Sequence, residues 1–477
     1  MNNLKDKKIA VIMGQGIEGC GVTRVATEMQ LWAQKNEVHL EVFSYDCKFY
    51  SRRDSHGLNF RSMHPTTLDE FRKELDSWDL VIFHSYPHNK FEHEDAKKFY
   101  YHFLKPLKAL KAGFIHEINK TNIDKITYLV PIINELDVIF HFETDTWFSQ
   151  QVKRLFPHKE NRILRFRMWI DMEELLSIRD QYSYADKAKR LTYIGRWSTL
   201  KNIDRSLNIA DELIARNLGW DCEMHGVEAS MGSKCQVIDH PTTTYIKINK
   251  NAPAHIRIGG VHQVGMTVEQ AQQQPIRIYP EYTRRWGLEF VAKNAFGSAF
   301  YSLPKNPEDY GNRMEYTQIE IIGVGTVPLF DEHWGKHNKS IDGTPFFNIP
   351  NLAIFSNGQD IPQVVDKMLS VASDPVAYNT IRDTGLAVIR ENFDASRVIP
   401  ETLTKIFDLG RDTAKVENDT ELLTQLVDSS FAKGVQTLEN QGKLPVLGIK
   451  EINDKELYFL EGWKQVHFSY STTKALF

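Results

Sequence analysis

From Lys8 onward, short apolar runs alternate with stretches of helical periodicity, and this alternation restricts the fold more than any single motif does. Lys8 to Met13, Val38 to Tyr45, Asp79 to Ser85, Gly113 to His116 and Asp137 to His141 read as strands. Thr23 to Lys35 reads as a helix between the first two, which makes a βαβ crossover and predicts a parallel sheet. A second series begins at Arg190. The strand LTYIGRW leads into a helix over Lys201 to Leu218, with Ile203, Leu207, Ala210 and Ile214 on one face. Asn217 and Gly219 are its stop signals, and the strand WDCEMHG follows. A helix near Glu315, a strand at GTVPLF and a helix over Ile361 to Val371 continue the pattern.

Two such series in 477 residues predict an α/β protein of two Rossmann-like, doubly wound domains. The expected division is 1–177 and 190–395, joined by a polar linker at 178–189. Residues 396–410 read as a helix crossing back to the first domain, and 411–477 as an appendage without the strand–helix rhythm. With 42% hydrophobic and 25% charged residues the chain reads as globular, and no apolar run is long enough for a bilayer. Lysines precede the first strand, but Gly-Gln-Gly follows it, so no export signal is expected. Cysteines at 20, 47, 222 and 235 have neither disulfide nor zinc spacing, which fits a reducing cytoplasm. A net charge of −4 argues against a general nucleic-acid coat and leaves a local basic face open.

Gly14, Gly16 and Gly19 spell G-x-G-x-x-G between a strand and a helix, the setting of a dinucleotide fingerprint, and the glycine run continues to Gly21. Asp46 lies somewhat far along for the expected ribose carboxylate. Glycines let backbone amides approach a phosphate and the helix supplies its positive end, so a dinucleotide or a nucleotide-sugar fits. In the second series, Arg196 and Lys201 stand five positions apart between a strand and a helix, suited to neutralising a departing diphosphate. Further on, MEYTQIEIIGVGTVPLF resembles the GT-B helix whose glutamate binds the donor ribose, which implies that Glu320 accepts from two ribose hydroxyls while the amides near Glu315, Tyr316 and Thr317 face the phosphates. A nicotinamide enzyme has no need of this second apparatus.

GIEGCGVT, HSYP at 84–87, DVIF at 137–140, IGRWSTLK at 194–201, and EYTQIE with GTVPLF at 315–330 occur in one order. In these pieces the chain resembles the T-even phage DNA α-glucosyltransferases that act on 5-hydroxymethylcytosine, over roughly residues 8–408. The resemblance implies a GT-B fold, with two Rossmann-like domains facing a central cleft, and retaining transfer from a UDP-sugar to double-stranded DNA containing that base. It implies that Gly16, Gly19, Gly21, Arg196, Lys201, Glu315, Tyr316, Thr317 and Glu320 bind the donor, and that His116 and Glu117 act beside the acceptor. Glutamate stands at 117 where the family has aspartate, so arabinose competes with glucose as the transferred sugar. Asn312 stands where the GT-B signature has a second glutamate.

Arg52, Arg53 and His56, then Arg162, Arg165 and Arg167, then Arg284 and Arg285 beside Trp286, are the candidates for a DNA face. Alternation in RILRFRMW would put its arginines on one side of a strand. No cofactor is required and no metal pattern is present, although Mg2+ could assist product release. The phage resemblance places the protein in the cytoplasm of an infected host cell, with no membrane partner. The competing functions are a GT-B transferase acting on a surface glycan or small molecule, an NAD-dependent oxidoreductase, and a non-catalytic nucleic-acid-binding protein.

Overall fold

The computed structural model describes residues 4–15, 21–46, 61–62, 68–84, 103–114, 132–141, 149–150, 152–153, 156–196, 201–227, 238–240, 243–245, 276–279, 284–301 and 315–415. Two compact units divide the chain, one of Met1–Arg167 with Ile399–Phe477 and one of Met168–Val398.

The first unit is built on β1 (Lys8–Gln15), α1 (Gly21–Lys35), β2 (His39–Asp46), β3 (Arg61–Ser62), α2 (Leu68–Leu75), β4 (Leu80–His84), β5 (Leu110–Phe114), β6 (Val138–His141) and β7 (Ile163–Arg165). Its strands form a seven-stranded sheet in the order β3-β2-β1-β4-β5-β6-β7, with every pairing parallel. β4 and β6 are buried along their whole length, which is why LVIFH and VIFH are continuous apolar runs without alternation. In α1, Val25, Ala26, Met29, Trp32 and Ala33 recur at helical spacing and are all buried. Phe114 joins β5 to its neighbours, stacking on Phe140 at 4.6 Å and meeting Phe166 edge-on at 4.7 Å.

The second unit opens with α3 (Met172–Arg179) and continues through β8 (Ala188–Arg196), α4 (Ile203–Ala215), β9 (Asp221–Val227), β10 (Ile238–His240), β11 (Thr243–Tyr245) and β12 (Ile276–Tyr279). α5 (Arg284–Ala292), β13 (Asn294–Ala299), α6 (Tyr316–Gly323), β14 (Val327–Asp331), α7 (Glu332–His337), β15 (Ile354–Ser356), α8 (Ile361–Ser373) and α9 (Pro375–Phe393) follow. The six-stranded sheet runs β12-β9-β8-β13-β14-β15, again parallel throughout, while β10 and β11 form a separate antiparallel pair. α4 and α8 pack together, and α3, α5 and α6 pack with one another. In α4, Ile203, Leu207, Ala210 and Leu213 are buried and Ile214 is partly so. Asn217 (φ 56°) and Gly219 (φ 75°) turn the chain out of that helix in the left-handed conformation.

The unit boundary falls at Arg167, ahead of the polar stretch 178–189 expected to be a linker. That stretch is built into the second unit. Ile178 and Arg179 are buried, Arg179 pairs with Asp383 at 2.7 Å, and the Tyr184 hydroxyl donates to the carbonyl of Ala372 at 2.6 Å. α10 (Ala395–Leu409) begins in the second unit and continues, from Ile399, in the first. The strand expected at Gly113–His116 is centred earlier, at Leu110–Phe114. RILRFRMW holds only the three-residue β7, so its arginines do not share one strand face. Among the described residues no helix is long and apolar enough to cross a membrane.

The turn after α6 is a Schellman motif, in which Thr326 N donates to Ile321 O at 3.2 Å and Gly325 N to Ile322 O at 3.0 Å. Gly325 has φ 75°, and a Cβ there would come within 2.9 Å of Arg382 Nη2 and 3.0 Å of Arg179 Cγ. Gly325→Ala is therefore expected to destabilise the protein by roughly 1–2 kcal/mol, read from urea denaturation. An unchanged midpoint would show that the turn relaxes freely.

Candidate functional site

In the six-stranded sheet the chain lays β8, β9 and β12 to one side and then returns to lay β13, β14 and β15 on the other. β8 and β13 therefore flank the switch point, and in open parallel sheets ligands bind at the carboxyl ends of the strands at such a point. Arg196 is the last residue of β8, and Lys201 lies in the turn before α4. Tyr301 follows the end of β13. The Lys201 ammonium lies 3.2 Å from the Tyr301 hydroxyl and 4.6 Å from the centre of its ring. It also makes an ion pair with the Glu315 carboxylate. Asn202, held left-handed at φ 41°, donates from its amide to the Tyr301 carbonyl at 3.4 Å.

Glu315 is the N-cap of α6. Its carboxylate accepts from the backbone amide of Gln318, and Gln318 Oε1 accepts from Glu315 N at 3.1 Å, a reciprocal capping box. The amides of Tyr316 and Thr317 belong to the first turn, where no intrahelical partner exists and the helix end is positive. The Tyr316 side chain turns the other way and donates its hydroxyl to Trp169 O at 3.0 Å, so this residue offers the site an amide and no ring. Glu320 is buried on the same helix, with 8% of its surface exposed.

A buried frame fixes the start of α4. Ser206 Oγ is 2.9 Å from Ser298 Oγ, and the Ser298 hydroxyl donates to Thr192 O at 3.2 Å, which ties the helix to β13 and β8. Arg205 pairs with Asp331 at the end of β14 and donates to Ser356 O at 3.1 Å. Its guanidinium lies 5.3 Å from the Phe300 ring centre. Lys201 is thus carried on a helix end anchored to four strands of the sheet.

Lys201, Glu315, Tyr316, Thr317 and Glu320, expected together from the sequence, lie at this edge or on the helix that begins there. Tyr301 was missed, although an aromatic residue just past a buried strand end was the available signal. Arg196 is described in its backbone only. Gly21 opens α1, while Gly16, Gly19, His116, Glu117, Arg52, Arg53, His56 and Asn312 lie outside the described residues.

Two arginines of the expected DNA face already have partners within the first unit. Arg162 donates to the carbonyls of Asp137, Leu409, Gly410 and Arg411, and Arg167 pairs with Glu401 at 2.8 Å with its side chain 12% exposed. Arg162 holds the end of α10, and Arg167 pairs with the middle of that helix. Arg165 is half-buried on β7; Arg285 is exposed and pairs with Glu289 at 2.7 Å; the Arg284 side chain lies outside the described residues. Among the described residues no group of three or more His, Cys, Asp or Glu could hold a metal ion.

Two tandem, parallel, doubly wound sheets define the GT-B architecture of glycosyltransferases. The model of the DNA alpha-glucosyltransferase family matches residues 20–376, and the chain belongs to that family. It is 23% identical over 408 residues to the DNA alpha-glucosyltransferase of Enterobacteria phage T4, covering 82% of this chain and 97% of that one. Among solved structures it resembles an alpha-glucosyltransferase in complex with UDP-glucose and DNA containing an abasic site, with a TM-score of 0.63 and 20% identity. The match covers 84% of this chain and 99% of that one. An alpha-glucosyltransferase in complex with UDP and a 13-mer DNA containing a HMU base gives a TM-score of 0.65 at 20% identity, with the same coverage.

Proposed function

We propose that this chain transfers glucose, with retention of anomeric configuration, from UDP-glucose to the hydroxyl of 5-hydroxymethylcytosine in double-stranded DNA. The observation that carries this reading is the joining of Lys201, Tyr301 and the first turn of α6 at the switch point of the second sheet, inside the span matched by the family. A diphosphate entering there displaces the Glu315 carboxylate from Lys201 and gains the amides of Tyr316 and Thr317. Arg196 closes the phosphate site from the end of β8, and Glu320 accepts from the donor ribose. The bond from the anomeric carbon to the diphosphate oxygen breaks as the acceptor oxygen bonds to that carbon on the same face. The acceptor proton passes to the departing diphosphate oxygen, so no protein nucleophile is required.

In this reading His116 hydrogen-bonds the transferred sugar and Glu117 orients the acceptor hydroxyl. The modified base is extruded from the duplex to reach the anomeric carbon. The reaction takes place in the cytoplasm of the infected host. Glucose is preferred to arabinose because the relatives above are glucosyltransferases, and the longer Glu117 side chain is the feature that keeps a pentose in the test.

Mass spectrometry of nucleosides, from hydroxymethylcytosine duplex incubated with the protein and either UDP-glucose or UDP-arabinose, tests this directly. A hexose gain is expected, with and without Mg2+. A pentose gain alone would reassign the donor, and no gain in protein that binds UDP would move the acceptor away from DNA.

A further inference from the structure

α5 carries an aromatic stack near its start. Trp286 lies parallel to Phe290, one helical turn on, with ring centres 5.0 Å apart and planes within 7°. The buried His225 ring meets both, at 4.5 Å from Trp286 and 4.7 Å from Phe290. Phe290 covers one face of the indole and His225 stands against it, yet Trp286 remains 42% exposed. An aromatic ring held by its neighbours and still substantially exposed is a stacking platform.

Its position in the fold says what stacks there. His225 pairs in register with Ile194 of β8, and two residues on, Val227 pairs with Arg196. Trp286 therefore stands at the same carboxyl edge of the sheet as the phosphate site. α5 packs against both β8 and α6, the helix whose first turn faces the phosphates and whose Glu320 serves the ribose. A nucleotide with its phosphates at the start of α6 and its ribose at Glu320 extends its base toward the neighbouring helix.

We propose that Trp286 stacks the uracil of the donor nucleotide, an assignment that rests on the donor site described above. Sequence-tolerant stacking on one face also implies that the base is held without being read, so other pyrimidine nucleotides share the platform.

The test uses the full chain and compares calorimetric binding of UDP with that of inorganic pyrophosphate, which lacks the base. Trp286→Ala is expected to weaken UDP about tenfold and to raise the KM for UDP-glucose similarly, with pyrophosphate binding unchanged. Trp286→Phe should retain most of the affinity. Trp286→Leu, which keeps apolar volume against Phe290 and His225, should lose as much as alanine and covers the case in which alanine does not fold. UDP affinity equal to wild type in a folded leucine variant overturns the assignment, as does a loss confined to the KM for DNA. Absence of UDP binding by the wild-type protein would instead bring down the donor-site reading itself.

Discussion

Lys201→Ala is expected to lower kcat for sugar transfer by about a hundredfold to a thousandfold, the range seen when one preorganised group facing developing charge is removed. Charge builds on the diphosphate as the glycosidic bond breaks, so the ammonium interacts more strongly with the transition state than with the bound donor. The side chain is already steered by the Tyr301 hydroxyl and by Glu315, so little reorganisation is needed when that charge appears. Stability should change little, because the Lys201 and Glu315 side chains are 15% and 36% exposed and an ion pair at such a site contributes modestly. Glu315→Gln gives the complementary readout. It removes a carboxylate competing with the diphosphate for Lys201, so UDP should bind no more weakly and kcat should fall far less than in Lys201→Ala. Steady-state kinetics of UDP release on hydroxymethylcytosine DNA decide the matter. A Lys201→Ala enzyme with unchanged kcat would remove the lysine from the phosphate site.

Much of this architecture could be read from local sequence because its signals are local. The runs in β4 and β6 are apolar throughout because parallel strands are covered on both faces, and Asn217 and Gly219 stop α4 because both take left-handed backbone. Contacts between distant residues leave no such trace. Tyr301 is 100 positions from Lys201, and nothing near either residue announces the other. The unit boundary at Arg167 has the same origin. Residues 178–189 are polar, yet Ser183 and Asp186 spend their polarity on each other in a capping box, with Ser183 N donating to Asp186 Oδ2 at 2.8 Å. Ser183 and Asp186 are themselves exposed; the stretch is held in the second unit by Arg179 on Asp383 and by the Tyr184 hydroxyl on the Ala372 carbonyl, contacts across 204 and 188 positions that no local pattern announces. Arg162 shows the same limit, since a basic residue suits a phosphate face and equally suits a chain end rich in carbonyls.

That chain end carries a buried charge network with a large expected effect on stability. Lys159 is completely buried and donates to Leu136 O at 2.7 Å and to Asp412 Oδ2 at 2.6 Å. Asp412 in turn donates its own amide to Asp137 Oδ1 at 2.9 Å, and Lys415 pairs with that carboxylate at 2.8 Å. Lys111 completes the network, with its amide on Asp137 Oδ2 at 2.8 Å and its ammonium 3.4 Å from Glu135. Burial pushes the Lys159 ammonium down to about 8, against the hydrogen bond and charge of Asp412, which work to raise it. Burial by itself would raise the pKa of Asp412; the hydrogen bond and charge of Lys159 prevail and hold it below the ordinary carboxylate value. Asp412→Ala leaves a buried ammonium facing one carbonyl, and is expected to destabilise the first unit by about 3–5 kcal/mol. The loss should depend on pH in a definite sense. Because the folded-state value of about 8 lies below the unfolded 10.5, the neutral amine favours folding, and stability from this group rises with pH across that window. Without Asp412 the folded value falls further, so wild type and variant differ most near neutral pH and converge as the amine becomes neutral in both. Urea denaturation at pH 7 and pH 9.5 measures both quantities. A loss below about 1 kcal/mol, the size of an ordinary surface pair, or a loss equal at the two pH values, would show that the clamp on the end of α10 does not depend on this charge pair.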